Sequence, residues 1–284
     1  MTLSQVLTST WHIEPWVLAT SILLVAGYVY ATRADLSKYT TIFLMGVCVF
    51  FLTLTSPISM LGKTYLFSAN MTQHIILLLI VPLLLLFGIP PSLIENISTR
   101  SPLTTVMRPL GHPLIAWFFG VGAMWIWHLP SLHDAALRNE HLYIVQQFSF
   151  LIFGTIFWWP VFAPIDRARL SPLKSTLYLA SACLGCSILG IFITFASVGL
   201  YPAYLNPVDT YGILTLLRND WCITPGVDQQ IGGLTMWVPG CMIYLFASML
   251  TLVRWYRSPE DEELIAQTLK IDTLIHATNK RRDY

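Results

Sequence analysis

The chain has 284 residues, 55% of them hydrophobic and 11% charged, with a mean hydropathy of +0.63. A water-soluble globule of that composition could not cover its own surface, so the bilayer is the implied solvent. The formal net charge is +1 and no basic cluster is interleaved with aromatics, so no nucleic-acid partner is expected.

A membrane-crossing helix needs about 20 mostly apolar residues. Seven stretches of that kind follow one another: Pro15 to Thr32, Thr40 to Ser56, Met71 to Pro90, His112 to Leu129, Leu142 to Ala163, Ser175 to Val198 and Gly232 to Tyr256. The strands of a membrane barrel would alternate apolar and polar residues, whereas Ile75 to Phe87 is almost unbroken apolar sequence. The expected fold is therefore all-α, a polytopic integral membrane protein of seven transmembrane helices. Residues 1–257 form the membrane domain and 258–284 a charged tail, with an acidic run from Glu260 to Glu263 and a basic end at Lys280, Arg281 and Arg282.

Lys and Arg set the orientation. With the carboxyl terminus in the cytoplasm, thirteen basic residues lie inside, and only Lys63, Arg138 and Arg218 lie outside. That bias places the amino terminus outside and the tail in the cytoplasm. No basic region precedes the first apolar stretch and no small-residue cleavage site follows it, so a removable signal peptide is not expected. Three segments then face outward: Pro57 to Asn70, Pro130 to His141, and Gly199 to Ile231, whose turn formers and aromatics suit a structured cap. On the inner side Pro90, Pro91 and Pro164 are placed to stop helices.

The histidines are the main functional signal. His12, His74, His128, His133 and His141 all fall at the outer side, in loops or near helix ends, with His74 one turn inside the third segment. An ionisable group within a spanning segment is a candidate functional group because its desolvation must be offset. Neutral imidazole suits copper, zinc or iron, and Met71, three residues before His74, could add a soft thioether on the same helix face. The candidate metal set is thus His74, His128, Met71, His133 and His141, with Asp228 either orienting a ligand or capping the seventh helix. Taken singly, each of these histidines fits an interfacial hydrogen-bonding role better than a ligand role.

Cys183 and Cys186 share a face of the sixth segment, which fits Cu(I) handling or simple small-residue packing. Trp125, Trp127, Trp158, Trp159 and Trp237 fit an interfacial belt. No phosphate-binding glycine loop, His-Glu-x-x-His or Ser-His-Asp context is present, so the chain is not expected to be an enzyme.

Five blocks in order carry a family resemblance. They are Phe67 to His74 leading into a Leu-rich run ending Leu86-Phe-Gly-Ile-Pro90, then Trp127-His-Leu-Pro-Ser-Leu-His-Asp-Ala-Ala-Leu137, Phe157-Trp-Trp-Pro-Val161, Tyr201-Pro-Ala-Tyr204, and Asp228-Gln-Gln-Ile-Gly-Gly-Leu-Thr-Met-Trp-Val-Pro-Gly240. Together they resemble the CtaG family of cytochrome c oxidase assembly proteins across about residues 15 to 257. The resemblance implies a bacterial inner-membrane protein that matures a haem-copper oxidase. Its implied partners are the oxidase subunits and a periplasmic copper chaperone, and copper is its implied cargo. The sequence departs from the family pattern at Asn70, Tyr143 and Gln147, where the family tends to have His.

Three functions follow as expectations. The first is an oxidase assembly factor assisting copper insertion at the outer face. The second is a metal-free structural or accessory subunit of an oxidase complex. The third is a membrane redox protein ligating b-type haem through His74 and His128.

Overall fold

The computed structural model of the chain describes residue 8 and residues 10–33, 37–100 and 112–256. The expected tail at 258–284 lies outside the described residues, as do most of the basic residues assigned to the cytoplasmic side of the seventh segment.

Every described element is helical. In chain order the α-helices, with one π-helical turn interrupting the third span, are α1 (Pro15–Thr32), α2 (Lys38–Thr55), α3 (Pro57–Thr64), α4 (Phe67–Ile75), the π turn (Ile76–Ile80), α5 (Val81–Phe87), α6 (Pro91–Arg100), α7 (Pro113–Trp127), α8 (Pro130–Arg138), α9 (Glu140–Phe162), α10 (Pro172–Phe195) and α11 (Pro225–Tyr256). Seven of these helices open on proline, whose missing N–H is no loss in a first turn and whose fixed φ already suits the helix. Pro91 thus starts a helix as well as ending the one before it.

Among the described residues six spans are long and apolar enough to cross a membrane: α1, α2, the continuous run Phe67–Phe87, α9, α10 and α11. A seventh is present if α7 and α8 count together, although they are bent by 76° at the break. Fifteen residues of α7 reach only about 22 Å at the helical rise, short of the ~30 Å hydrocarbon core. The bend has a local cause. Pro130 excludes the helical region for the residue before it, and Leu129 accordingly sits at φ −62°, ψ 124°.

The bundle wears its apolar side outward. Leu23 is 71% exposed, Phe118 69% and Phe195 77%, an arrangement that suits lipid contact and not water. Inside, backbones approach closely where glycine allows it. A Cβ at Gly190 of α10 would lie 2.9 Å from the Gly233 carbonyl oxygen of α11, and one at Gly154 of α9 would collide with the Leu78 carbonyl.

The third span is the most enclosed of the six. Pro82 has no N–H and crowds the carbonyl one turn back, and the helix widens to a π turn just before it. Trp158 is fully buried in α9 and its indole donates to the Leu79 carbonyl at 2.9 Å, which satisfies a backbone group that lipid could not. Trp127 is likewise buried and donates to Ser149 Oγ. These two tryptophans therefore belong to the core and not to the expected belt.

Two of the expected outer loops are helical: α3 fills most of Pro57 to Asn70, and α8 most of Pro130 to His141. The third long segment, residues 196–224, folds as a cap over one end of the bundle. Tyr204 Oη donates to the Gly62 carbonyl at 2.7 Å, and Arg218 donates to the carbonyls of Tyr204 and Ile223.

Candidate functional site

The site starts from a helix terminus. The first N–H groups of α4 have no partner within the helix, and the Asp228 carboxylate from the first turn of α11 accepts them. Phe67 N–H donates at 2.6 Å, Ser68 N–H at 3.0 Å and Ser68 Oγ–H at 2.6 Å. Asp228 therefore caps α4, not the helix that carries it, and fixes how far α4 sits along the bundle. Because α4 begins at Phe67 and not at Met71, His74 is the eighth residue of its helix and deeper than the expected single turn.

One α4 face carries Met71 and His74, three residues apart. His128 ends α7, and its Nδ1 donates to the carbonyl of Met124. A carbonyl only accepts, so the His128 proton is on Nδ1 and the Nε2 lone pair is free. That Nε2 lies 3.0 Å from Met71 Sδ and 3.5 Å from His74 Nδ1. Two electron-pair donors, the thioether and Nε2, thus meet with no proton between them. When the His74 proton is on Nε2, the Nδ1 lone pair joins them.

The 76° bend brings His133, on α8, beside the same pair. Its ring centroid is 6.1 Å from that of His74 and 6.3 Å from that of His128. All four side chains are buried: Met71 is 0% exposed, His133 1%, His74 2% and His128 3%. Phe150 lies against His74 at 4.5 Å, and the cap closes the group because Tyr201 Oη donates to the His128 carbonyl at 2.9 Å. Tyr201 also stacks on Phe67 at 4.3 Å.

The remaining candidates separate. His141 is exposed in the first turn of α9, and His12 is exposed beside Glu14 at 3.7 Å. Asp228 is buried but its oxygens are occupied by the α4 terminus. Among the described residues no three His, Cys, Asp or Glu side chains converge as a metal set, so the Met71 thioether is what makes a three-donor group. A neutral set of two imidazoles and one thioether fits a soft monovalent ion, because a single charge is the least costly to desolvate among apolar neighbours.

Sequence reasoning undervalued a second polar group. Gln73 Nε2 donates to Tyr143 Oη at 2.8 Å and to Gln147 Oε1 at 3.2 Å, and Gln147 Nε2 donates to Gln146 Oε1 at 3.2 Å. The signal was present as a Gln-Gln pair inside an apolar stretch. Cys183 faces Cys241 of α11 at 2.8 Å instead of acting with Cys186, which approaches Tyr244 Oη at 3.4 Å.

The fold and this buried cluster define an all-helical, multi-pass membrane protein with an imidazole–thioether group near one end. Residues 22–258 match the model of the cytochrome c oxidase caa3 assembly factor family, and the chain belongs to that family. It is 24% identical over 271 residues to an uncharacterized protein of Mycobacterium leprae, an alignment covering 88% of this chain and 40% of that one. It is 21% identical over 279 residues to uncharacterized proteins of Mycobacterium bovis and Mycobacterium tuberculosis, covering 90% of this chain and 40% of each. The chain thus spans about 40% of the length of these relatives. No solved structure matches.

Proposed function

We propose that this protein assists maturation of a haem-copper cytochrome c oxidase in a bacterial inner membrane by holding Cu(I) at His74, His128 and Met71 on the outer face and passing it to an oxidase subunit. The observation that carries this reading is the meeting of His128 Nε2 with Met71 Sδ at 3.0 Å, with His74 Nδ1 at 3.5 Å. Bound there, Cu(I) would be held in its reduced state by soft, neutral donors. The chain's own residues supply the rest. Met124 fixes the His128 tautomer, Tyr201 anchors the His128 backbone, and Phe150 and Phe67 keep the surroundings apolar. His133, beside the pair, would serve as a third imidazole during transfer.

The same distances disfavour the haem reading. The His74 and His128 rings touch with centroids 5.3 Å apart, which leaves no room for a macrocycle between them. The metal-free scaffold stays as the rival, and genetics separates the two. In a host dependent on this oxidase, loss of the protein should leave oxidase subunits in the membrane but without copper and without activity. The double variant His74→Ala, His128→Ala should reproduce that loss while itself accumulating normally. Full restoration of copper-loaded oxidase by the double variant would overturn the copper mechanism in favour of the scaffold.

A further inference from the structure

Five buried side-chain atoms of α4 and α9 make no hydrogen bond among the described residues: both amide atoms of Asn70, Gln73 Oε1, Gln146 Nε2 and His74 Nε2. Burying one such group unpaired costs about 1–3 kcal/mol, and native folds tolerate few. Concentrating them on facing parts of α4 and α9 therefore points to occupants that bond them, either water or a cation.

These atoms also lie in sequence along a route. A cavity of about 180 Å³ opens beside α3, lined by His12, Glu14, Ser59 and Lys63 among others. Lys63 Nζ lies 3.9 Å from the Glu14 carboxylate and 4.9 Å from the ring centre of Tyr143. From Tyr143 the bonds run to Gln73, Gln147 and Gln146. The Gln146 side chain interacts with the His74 ring, and Gln146 Nε2 and His74 Nε2 make no other hydrogen bond among the described residues. Polar side chains are thus linked from the cavity, where Ser59 bonds the Tyr143 hydroxyl, through the glutamines to His74.

We infer that Tyr143, Gln73, Gln147 and Gln146 line a hydrated passage that admits a small monovalent cation from the Glu14–Lys63 cavity to His74. Carbonyl and hydroxyl oxygens along it replace lost hydration, as amide oxygens do wherever ions cross apolar protein. No residue in it carries a formal charge, so the passage transmits the ion without trapping it. Lys63 is the one positive charge at the mouth. Its side chain is 35% exposed, and a long flexible stem lets it swing from Glu14 into solvent.

The identity of the cation as Cu(I) rests on the function proposed above, whereas the passage itself does not. Two measurements on the full chain in detergent distinguish them. The first is uptake of Cu(I) from a coloured chelate, read as final content and as rate, for the parent and for Gln147→Leu. Equal final content with uptake slowed roughly tenfold or more is expected, since the passage loses a polar partner while the site is intact. Equal content at an equal rate would overturn the passage. Failure of the parent to take up any Cu(I) would overturn the copper site alone.

The second measurement settles the passage in every case. Ag⁺ is added to Gln147→Cys, and its protection of the introduced thiol from alkylation is followed by mass spectrometry. The exposed thiol of Cys222 and the buried thiol of Cys186 serve as internal references. Protection near the Cys222 rate is expected. Protection as slow as that of Cys186 would overturn the passage.

Discussion

The proposed Cu(I) site turns on Met71, because two histidines alone would accept zinc as readily. Replacing it by Leu conserves volume and removes the thioether. The expected outcome is an intact fold with Cu(I) affinity lowered by roughly tenfold to a hundredfold, measured by competition with a Cu(I) chelator. Asp228 tests the opposite kind of role. Asp228→Ala leaves the Phe67 and Ser68 N–H groups unpaired in a buried place and should lower stability by about 3 kcal/mol, read from unfolding in detergent. Asp228→Asn keeps an acceptor and should lose less. His74 and Met71 were readable as a pair from their spacing of three, and His74 from its place in an apolar run. The separation of His141 from the group was not, because it follows from the helical registers of α8 and α9, which no local pattern encodes. Nor was the destination of Asp228, since a residue in the first turn of one helix can cap a neighbour only once the two are side by side.

At the scale of elements, the closest approaches are the most sensitive. Gly190→Leu places a branched side chain against the Gly233 carbonyl and Trp237, so α10 and α11 must part. Loss of folded protein is expected, read as aggregation on gel filtration, whereas the same substitution at Gly27, which has nothing within 4 Å, should be tolerated. The cap has its own switch. Burial alone would raise the pKa of Asp209, but the N–H groups of Ile213 and Leu214 and the Tyr65 hydroxyl outweigh it and hold the carboxyl below its usual value. A depressed pKa means that the stabilisation is present above the ordinary carboxylate range and is lost as pH falls through the lowered value. Protection of the Ile213 and Leu214 amides, read as hydrogen exchange relative to the intrinsic rate at each pH, should therefore fall on acidification, and Asp209→Asn should show the lower protection already at neutral pH. The apolar stretches revealed each span because bilayer thickness sets their length. Their ends were less legible. Helical α3 and α8 are too short and too polar to register as apolar runs, and the bend before Pro130 changed a presumed loop into the support for His133.

For the whole molecule, the bundle is a lipid-facing shell around an apolar core that encloses one buried polar group. Composition alone made the membrane class readable, and five ordered motifs made the family readable; the match over residues 22–258 agrees with them. Charge bias suggested an orientation that side-chain packing does not encode. On the function proposed above, the buried group of His74, His128 and Met71 holds a soft cation. The most direct test is the copper content of detergent-purified protein after anaerobic loading with Cu(I), comparing the parent with His74→Ala and with His128→Ala. The expected result is near-stoichiometric copper in the parent, lost in both variants while their helix content is unchanged. Copper absent from the parent, or retained in both variants, would contradict it.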